Sequence, residues 1–361
     1  MTAGDDTQIL IRLPYHLLPL PSPLPSALCP LPLSGLYNPP MATALATMMS
    51  LPSVTLAQHP SPVDRLDRLR AALGPGCPRL LMKRDDLLSF GAGGNKVRKL
   101  QLVLAEAQKA GADTLITCGG LQSNHARATA AAGAALGMGV VLVLNGEVPE
   151  VAIGNLKLDE LFGAAIYVVP SRDARAPMME MVSAELRAAG EHPFVIPLGA
   201  STPLGALGFA RGVTELSAVG LRPDVIVHAT SSGGTQAGLI AGTSLIGTSP
   251  RVLGVSADDP AASLRATITT LLDGMAERLG AKPATIGADR AIDVDDQEVG
   301  GGYGVPTPAS TEAIELVARR EGIVLDSVYT AKAMAGLLRR IRAGEFTSEE
   351  TVLFWHTGGN K

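Results

Sequence analysis

Residues 91–104 read GAGGNKVRKLQLVL, and the way this stretch folds decides the reading of the chain. Val97, Leu100 and Leu104 recur on one helical face, so a helix opens directly after the glycines. Asn95 is of the type that caps helix N-termini, which places Lys96 in the first turn. That end of a helix carries positive partial charge and disfavours a cation. A lysine held there has a lowered pKa, or its amine is tied up as an imine. Lys99 follows at i+3 and projects from the same face. One amine to hold a carbonyl and a second to hold an anion would suit a phosphorylated aldehyde. Taken alone, the same residues also describe a plain basic surface turn.

Outward from this stretch, apolar strands and helices alternate. The strand Arg79 to Lys83 precedes it and the acidic corner Asp85-Asp86 lies between. Helix 96–110 ends at Gly111. Then follow strand 114–117, an alanine-rich helix 124–136 closed by Gly137, strand 140–144, helix 156–162, strand 166–169, helix 178–189 and strand 194–196. The rhythm continues through helix 206–219 and strands at 224–230, 252–257 and 352–357. VDRLDRLRAAL at 63–73 reads as one amphipathic helix. Apolar strands spaced by helices predict an α/β protein, with open parallel sheets covered on both faces. The alternation runs for about two domains' worth of chain. Ligands on such sheets sit in the loops that leave the carboxyl ends of strands.

With 361 residues, 46% of them apolar and 18% charged, the chain can bury two cores and is not disordered. Aromatics are only 3% against 40 glycines, which predicts aliphatic cores with closely packed elements. A formal charge of −4 and no basic run exclude a nucleic-acid surface. Cys29, Cys77 and Cys118 have neither metal-ligand nor disulfide-framework spacing, so a metal centre is not expected and a reducing cytoplasm is. Residues 1–49 stand apart. They are rich in Leu and Pro, with no uninterrupted apolar run long enough to span a membrane, and read as a disordered extension or as sequence upstream of the true start. Met41, Met48 and Met49 are candidate initiators.

Three groups of loops carry candidate chemistry. In CGGLQSNHARATA (118–130), Ser123 and Asn124 open a helix whose free N–H groups can bind a carboxylate. Asn124 adds an amide and His125 a titratable ring, although an ordinary capped turn explains Ser-Asn equally well. In SSGGTQAG (231–238), Ser232, Gly233, Gly234 and Thr235 suit a phosphate at a helix N-terminus; the full GKS/T and GxGxxG patterns are absent. Gly300 to Pro306, DSVYTAKA (326–333) and the C-terminal HTGG bring Tyr303, Tyr329 and Thr357, each at a loop where ligand groups collect.

In this order GGNKVRKL, GGLQSNHAR, SGGTQAG, DSVYTAKA and HTGG resemble the motifs of a pyridoxal-phosphate-dependent family of the tryptophan synthase β-like fold (fold type II). Within it they resemble the branch of D-cysteine desulfhydrases and 1-aminocyclopropane-1-carboxylate deaminases. The resemblance runs from about residue 50 to the end. It implies a large domain of 50–92 and 207–361 with a small domain of 93–206 inserted. It also implies pyridoxal 5'-phosphate as cofactor and a homodimer acting on a small amino acid, with no nucleic acid or membrane involved. Lys96 would form the Schiff base, and Lys99 would meet the phosphate with Ser232, Gly233, Gly234 and Thr235. Asn124 would bond the ring hydroxyl, Ser123 to His125 would receive the substrate carboxylate, and Thr357 would face the pyridine nitrogen. Tyr303 and Tyr329 would line the substrate side, with Lys96, Ser123, Tyr303 and Tyr329 as the catalytic set.

Two departures separate the branch members. The deaminase pattern has Gln and Glu where this chain has His125 and Thr330, and a neutral ring partner suffices for a good leaving group such as sulfide. Ser327 stands where the pattern has proline. The expectation is therefore elimination from D-cysteine, with L-cysteate sulfo-lyase, deaminase and β-chloro-D-alanine elimination activities as alternatives. A colourless, non-catalytic nucleotide-binding protein is the reading of another class.

Overall fold

The computed structural model describes residues 39–359. Helix α1 (Pro39–Ser50) opens the described chain, followed by β1 (Val63–Arg65), α2 (Asp67–Leu73), β2 (Arg79–Arg84) and α3 (Lys96–Lys109). A second set comprises β3 (Thr114–Gly120), α4 (Asn124–Leu136), β4 (Gly139–Asn145), α5 (Gly154–Leu161), β5 (Ala165–Val169), α6 (Arg175–Ala188) and β6 (Pro193–Val195). The remainder runs α7 (Pro203–Ala218), β7 (Val225–Thr230), α8 (Gly234–Leu245), β8 (Arg251–Ser256), α9 (Ala261–Arg278), β9 (Asp293–Asp295), α10 (Pro308–Glu321), α11 (Thr330–Arg342) and β10 (Thr351–His356). The chain divides into two compact units: a smaller one of residues 103–200, and a larger one of 39–102 with 201–359.

The larger unit holds a six-stranded sheet of order β1-β2-β10-β7-β8-β9, parallel except for β1 at its edge. Strands β7 (VIVHAT) and β10 (TVLFWH) are buried on both faces, which is why they read as continuous apolar runs. Period two sorts their side chains. Ile226, Leu353 and Trp355 face a core shared with α1, α7, α8 and α9. Val225, Val227, Val352 and Phe354 face a second core with α2, α10 and α11. The glycine-rich, aromatic-poor composition finds its use where helices touch. A Cβ at Gly238 of α8 would lie 2.3 Å from the Ala206 carbonyl oxygen of α7, so only glycine admits that approach.

The smaller unit holds a four-stranded parallel sheet of order β5-β4-β3-β6. Ile116 and Val141 pack with Val182 of α6 on one face. Across the sheet Thr117 meets His125 of α4. Helix α4 ends at Gly137 in the left-handed conformation (φ +68°), the stop expected from the sequence.

Two open α/β sheets covered by helices thus form as the alternation predicts, with three corrections. Residues 63–65 are a strand rather than the start of a helix, because they pair antiparallel with β2 in the register Asp64 to Met82. Residues 39–49 are not a disordered extension: α1 buries Ala44, Leu45 and Met48 in the larger core. Arg211 fastens the C-terminal end of α1 by donating to the carbonyls of Met48, Met49 and Leu51. The expectation for residues 1–38 lies outside the described residues. The unit boundaries at 102/103 and 200/201 differ from the expected 93 and 206. The first turns of α3 belong to the larger unit because Leu102 packs in its core with Leu204 and Leu207.

Candidate active site

In the larger unit, the glycines before α3 make a tight entry. Asn95 donates its backbone N–H to the Thr357 carbonyl at 2.9 Å, and a Cβ on Gly358 would lie 2.5 Å from the Gly94 Cα. The loop after β10 is therefore pressed against the loop that delivers Lys96, and Thr357 is buried there. Lys96 begins α3 as predicted, and burial pushes its pKa down to about 8. Lys99, one turn on, is fully buried. Burial first, and the Lys96 charge second, hold Lys99 well below its ordinary value. An anion beside it would favour its charged form.

The surroundings of Lys99 suit such an anion. Its Nζ donates to Ser201 Oγ at 2.9 Å, and Ser201 Oγ lies 2.7 Å from Ser232 Oγ. Gly233 takes φ +74° and Gly234 opens α8, with Thr235 buried in its first turn. A Cβ at Gly234 would stand 2.7 Å from Ser201 Oγ and 2.8 Å from Lys99 Nζ. A cation, three hydroxyls and a helix N-terminus around a glycine without side chain match the needs of a phosphate monoester. Ser201 was not among the sequence candidates. Its signal was there, in the Ser-Thr-Pro start of α7, where Thr202 caps the helix by accepting from the Gly205 N–H at 3.0 Å.

A buried charge network anchors α3 between the two lysines. Arg98 donates to both oxygens of Asp85 at 2.7 Å and to Glu215 at 2.6 and 3.0 Å. Lys83 reaches Glu215 at 2.6 Å, and the Trp355 indole N–H donates to Asp85 at 2.7 Å. Burial alone would raise Glu215, but Arg98 and Lys83 hold its carboxyl well below the usual range. Two cations against two carboxylates leave the cluster neutral, so it fixes the helix without adding net charge.

Tyr303 and Tyr329 meet, their hydroxyl oxygens 2.7 Å apart and their rings edge to face. Burial, then the neighbouring Tyr303, raises the Tyr329 phenol well above its ordinary value, so it stays protonated. Asp326 builds the turn that presents Tyr329. Its carboxylate accepts the N–H groups of Val328, Tyr329 and Thr330 at 2.7–3.0 Å and the Thr330 hydroxyl at 2.6 Å. This supplies the rigidity that a proline at Ser327 would have given. Thr330 is thereby committed to Asp326.

In the smaller unit, Ser123 caps α4, its Oγ accepting from the Ala126 N–H at 3.2 Å. Asn124 Oδ1 accepts from Asn155 Nδ2 at 2.9 Å, which leaves the Asn124 amide NH2 as donor for a ligand oxygen. Asn155 was missed; nothing in the sequence spacing links it to position 124. His125 lies in the first turn of α4. Its ring is buried and pairs with Thr117 Oγ1 at 2.8 Å. That hydroxyl donates to the Ile196 carbonyl at 2.7 Å, so His125 Nε2 must carry the proton. No His/Cys/Asp/Glu cluster suited to a metal occurs among the described residues.

The chain is similar to known proteins. Residues 54–358 match the family described as pyridoxal-phosphate dependent enzyme. A D-cysteine desulfhydrase of Salmonella choleraesuis (strain SC-B67) is 37% identical over 318 residues, 85% of this chain and 94% of that protein. A Pyrococcus abyssi (strain GE5 / Orsay) protein, provisionally named as a 1-aminocyclopropane-1-carboxylate deaminase, is 37% identical over 320 residues, 87% of this chain and 93% of its own. The solved structure of a homologue of that deaminase superposes with a TM-score of 0.81 at 36% identity, covering 88% of this chain and 94% of that one. Threonine deaminase isoform 2 from Solanum lycopersicum, at 17% identity and TM-score 0.65 over 95% and 96% of the two chains, shares the fold. The reading as a non-catalytic nucleotide-binding protein is set aside. The chain belongs to the pyridoxal-phosphate-dependent enzymes, in the group that holds the D-cysteine desulfhydrases and 1-aminocyclopropane-1-carboxylate deaminases.

Proposed function

We propose that the protein catalyses α,β-elimination from D-cysteine, releasing pyruvate, hydrogen sulfide and ammonia. The observation that carries this reading is an amine poised as a base, Lys96 at about 8, together with a tyrosine pair in which the Tyr329 phenol keeps its proton. Lys99, Ser201, Ser232 and the first turn of α8 would hold the phosphate, and the Asn124 NH2 would donate to the ring hydroxyl oxygen. Bound pyridoxal phosphate supplies the electron sink for the pair released at Cα. Lys96 Nζ removes the Cα proton, the Cβ–S bond breaks, and Tyr303 or Tyr329 delivers a proton to the departing sulfur. The N–H groups opening α4 would receive the substrate carboxylate. The enamine, once released, hydrolyses to pyruvate and ammonia.

A second reading has a specific support: the Pyrococcus relative and the solved homologue carry deaminase names. Against it, Thr330 stands where the deaminase pattern has a glutamate, and its hydroxyl is taken up by Asp326. Assays of the holoenzyme on D-cysteine, L-cysteine, L-cysteate and 1-aminocyclopropane-1-carboxylate decide between them. Equal sulfide and pyruvate from D-cysteine alone is expected. Sulfite from L-cysteate, or 2-oxobutyrate from the cyclopropane, as the main product would replace the substrate assignment. The same reading takes the protein as a cytoplasmic homodimer, which light scattering of the purified protein checks as to oligomeric state.

A further inference from the structure

Lys332 lies in the first turn of α11 and is fully buried. Burial of an ammonium is costly, and a helix N-terminus is the unfavourable end for it. Its three N–H donors are all used. Nζ donates to the carbonyls of Val299 and Gly302 at 2.8 Å each and of Ala257 at 3.0 Å. Two of these acceptors belong to the loop that carries Tyr303, and the third follows β8. That loop is rich in glycine, with Gly300, Gly302 and Gly304 at positive φ, and its own bonds to the same carbonyls are longer: the Gly302 N–H donates to Val299 at 3.2 Å and the Val305 N–H to Gly302 at 3.3 Å. Gly302, whose carbonyl the ammonium holds, immediately precedes Tyr303. Tyr329, at the N-cap position of the same helix three residues before Lys332, has its hydroxyl oxygen 2.7 Å from that of Tyr303. One helical turn therefore grips the glycine loop at its carbonyls and, through Tyr329, at the phenol.

We propose that Lys332 is the positioning residue of the tyrosine pair: its ammonium fastens the carbonyls of Val299 and Gly302 to α11 and so keeps Tyr303 within hydrogen-bond reach of Tyr329. The consequence for catalysis rests on the proton-delivery role given to that pair above. Displacing a reacting group by about 1 Å costs roughly a hundredfold in rate, which sets the scale expected when the grip is lost.

The test uses the pyridoxal-phosphate-loaded protein and two readouts. Hydrogen exchange followed by mass spectrometry compares wild type with Lys332→Met. The peptide covering 296–305 should exchange at least about tenfold faster in the variant, and peptides from β7 and β10 should not change. Ammonium or methylammonium chloride should restore part of that protection in Lys332→Ala, where the truncated side chain leaves room for a free cation among the three carbonyls. Turnover is then measured on whichever amino acid the wild type consumes. Lys332→Met should lower kcat about a hundredfold with the cofactor absorption retained, yet cost less than about threefold in a Tyr303→Phe background, because the two changes disable one function. Unchanged exchange over 296–305 would overturn the proposal. So would an equal loss of kcat in both backgrounds, the signature of a merely structural lysine. A wild type inactive on D-cysteine with the loop released in the variant would sink the substrate reading and leave the fastening role standing.

Discussion

An ordinary lysine at pH 7 keeps only about one amine in three thousand unprotonated, whereas one at pKa about 8 keeps roughly one in ten. Burial at position 96 thus raises the supply of free base by a factor of several hundred, and it does so at the expense of stability. The folded value lies below the unfolded 10.5, so the unfolded chain binds more protons between the two. Stability of the cofactor-free protein is fully present above pH 10.5 and falls as pH drops through 8, by up to about 3 kcal/mol. Lys96→Met should remove that dependence and unfold later than wild type in urea at pH 7, with the gap closing above pH 10; a parallel offset at all pH values would contradict it. Asn155 acts at the same scale. Its Nδ2 fixes which way Asn124 points, so Asn155→Leu should weaken pyridoxal-phosphate binding about tenfold by absorbance titration without a comparable change in melting temperature.

Among the elements, α3 and α7 approach closely enough that side chains at the contact are excluded. A Cβ on Gly208 would fall 2.0 Å from the Arg98 carbonyl oxygen, a backbone atom that cannot yield without moving the turn bearing Lys96 and Lys99. Gly208→Ala should cost about 2–3 kcal/mol in denaturant titration and weaken cofactor binding as well. At the chain's start, Met48→Ala should destabilise the larger unit by about 2–4 kcal/mol, because its side chain is fully buried in that core. This scale also shows what the sequence made legible. Strand and helix alternation, the Gly137 stop and the placement of Lys96 in a first turn follow from local pattern. The strand at 63–65 does not, since three residues become a strand only through pairing with β2. Nor does the α1 docking, which depends on Arg211 far along the chain. Asn155 escaped for the same reason, its partner Asn124 lying 31 residues away, and for Ser201 the helix start was legible while its pairing with Lys99, 102 residues away, was not.

In both units burial pushes ionisable side chains that lack a strong opposite charge toward their neutral forms, Asp159 up to about 8 in the smaller and His228 down in the larger. His228 shows the acid-side consequence. Buried on β7, with Nδ1 2.9 Å from the Ala229 carbonyl, it is pushed down to about 4 by burial, the Ala229 carbonyl opposing and the Lys99 charge adding. Its folded value lies below the unfolded 6.5, so stability present above pH 6.5 is lost as pH falls through 4, by up to about 3 kcal/mol. His228→Gln should flatten the acid limb of the stability curve between those values, read by urea titration at successive pH. The account as a whole turns on which amine carries the cofactor. Borohydride reduction of the holoenzyme, followed by peptide mapping, should place the reduced pyridoxyl phosphate on Lys96 alone. Label on Lys99, or on neither lysine, would contradict it.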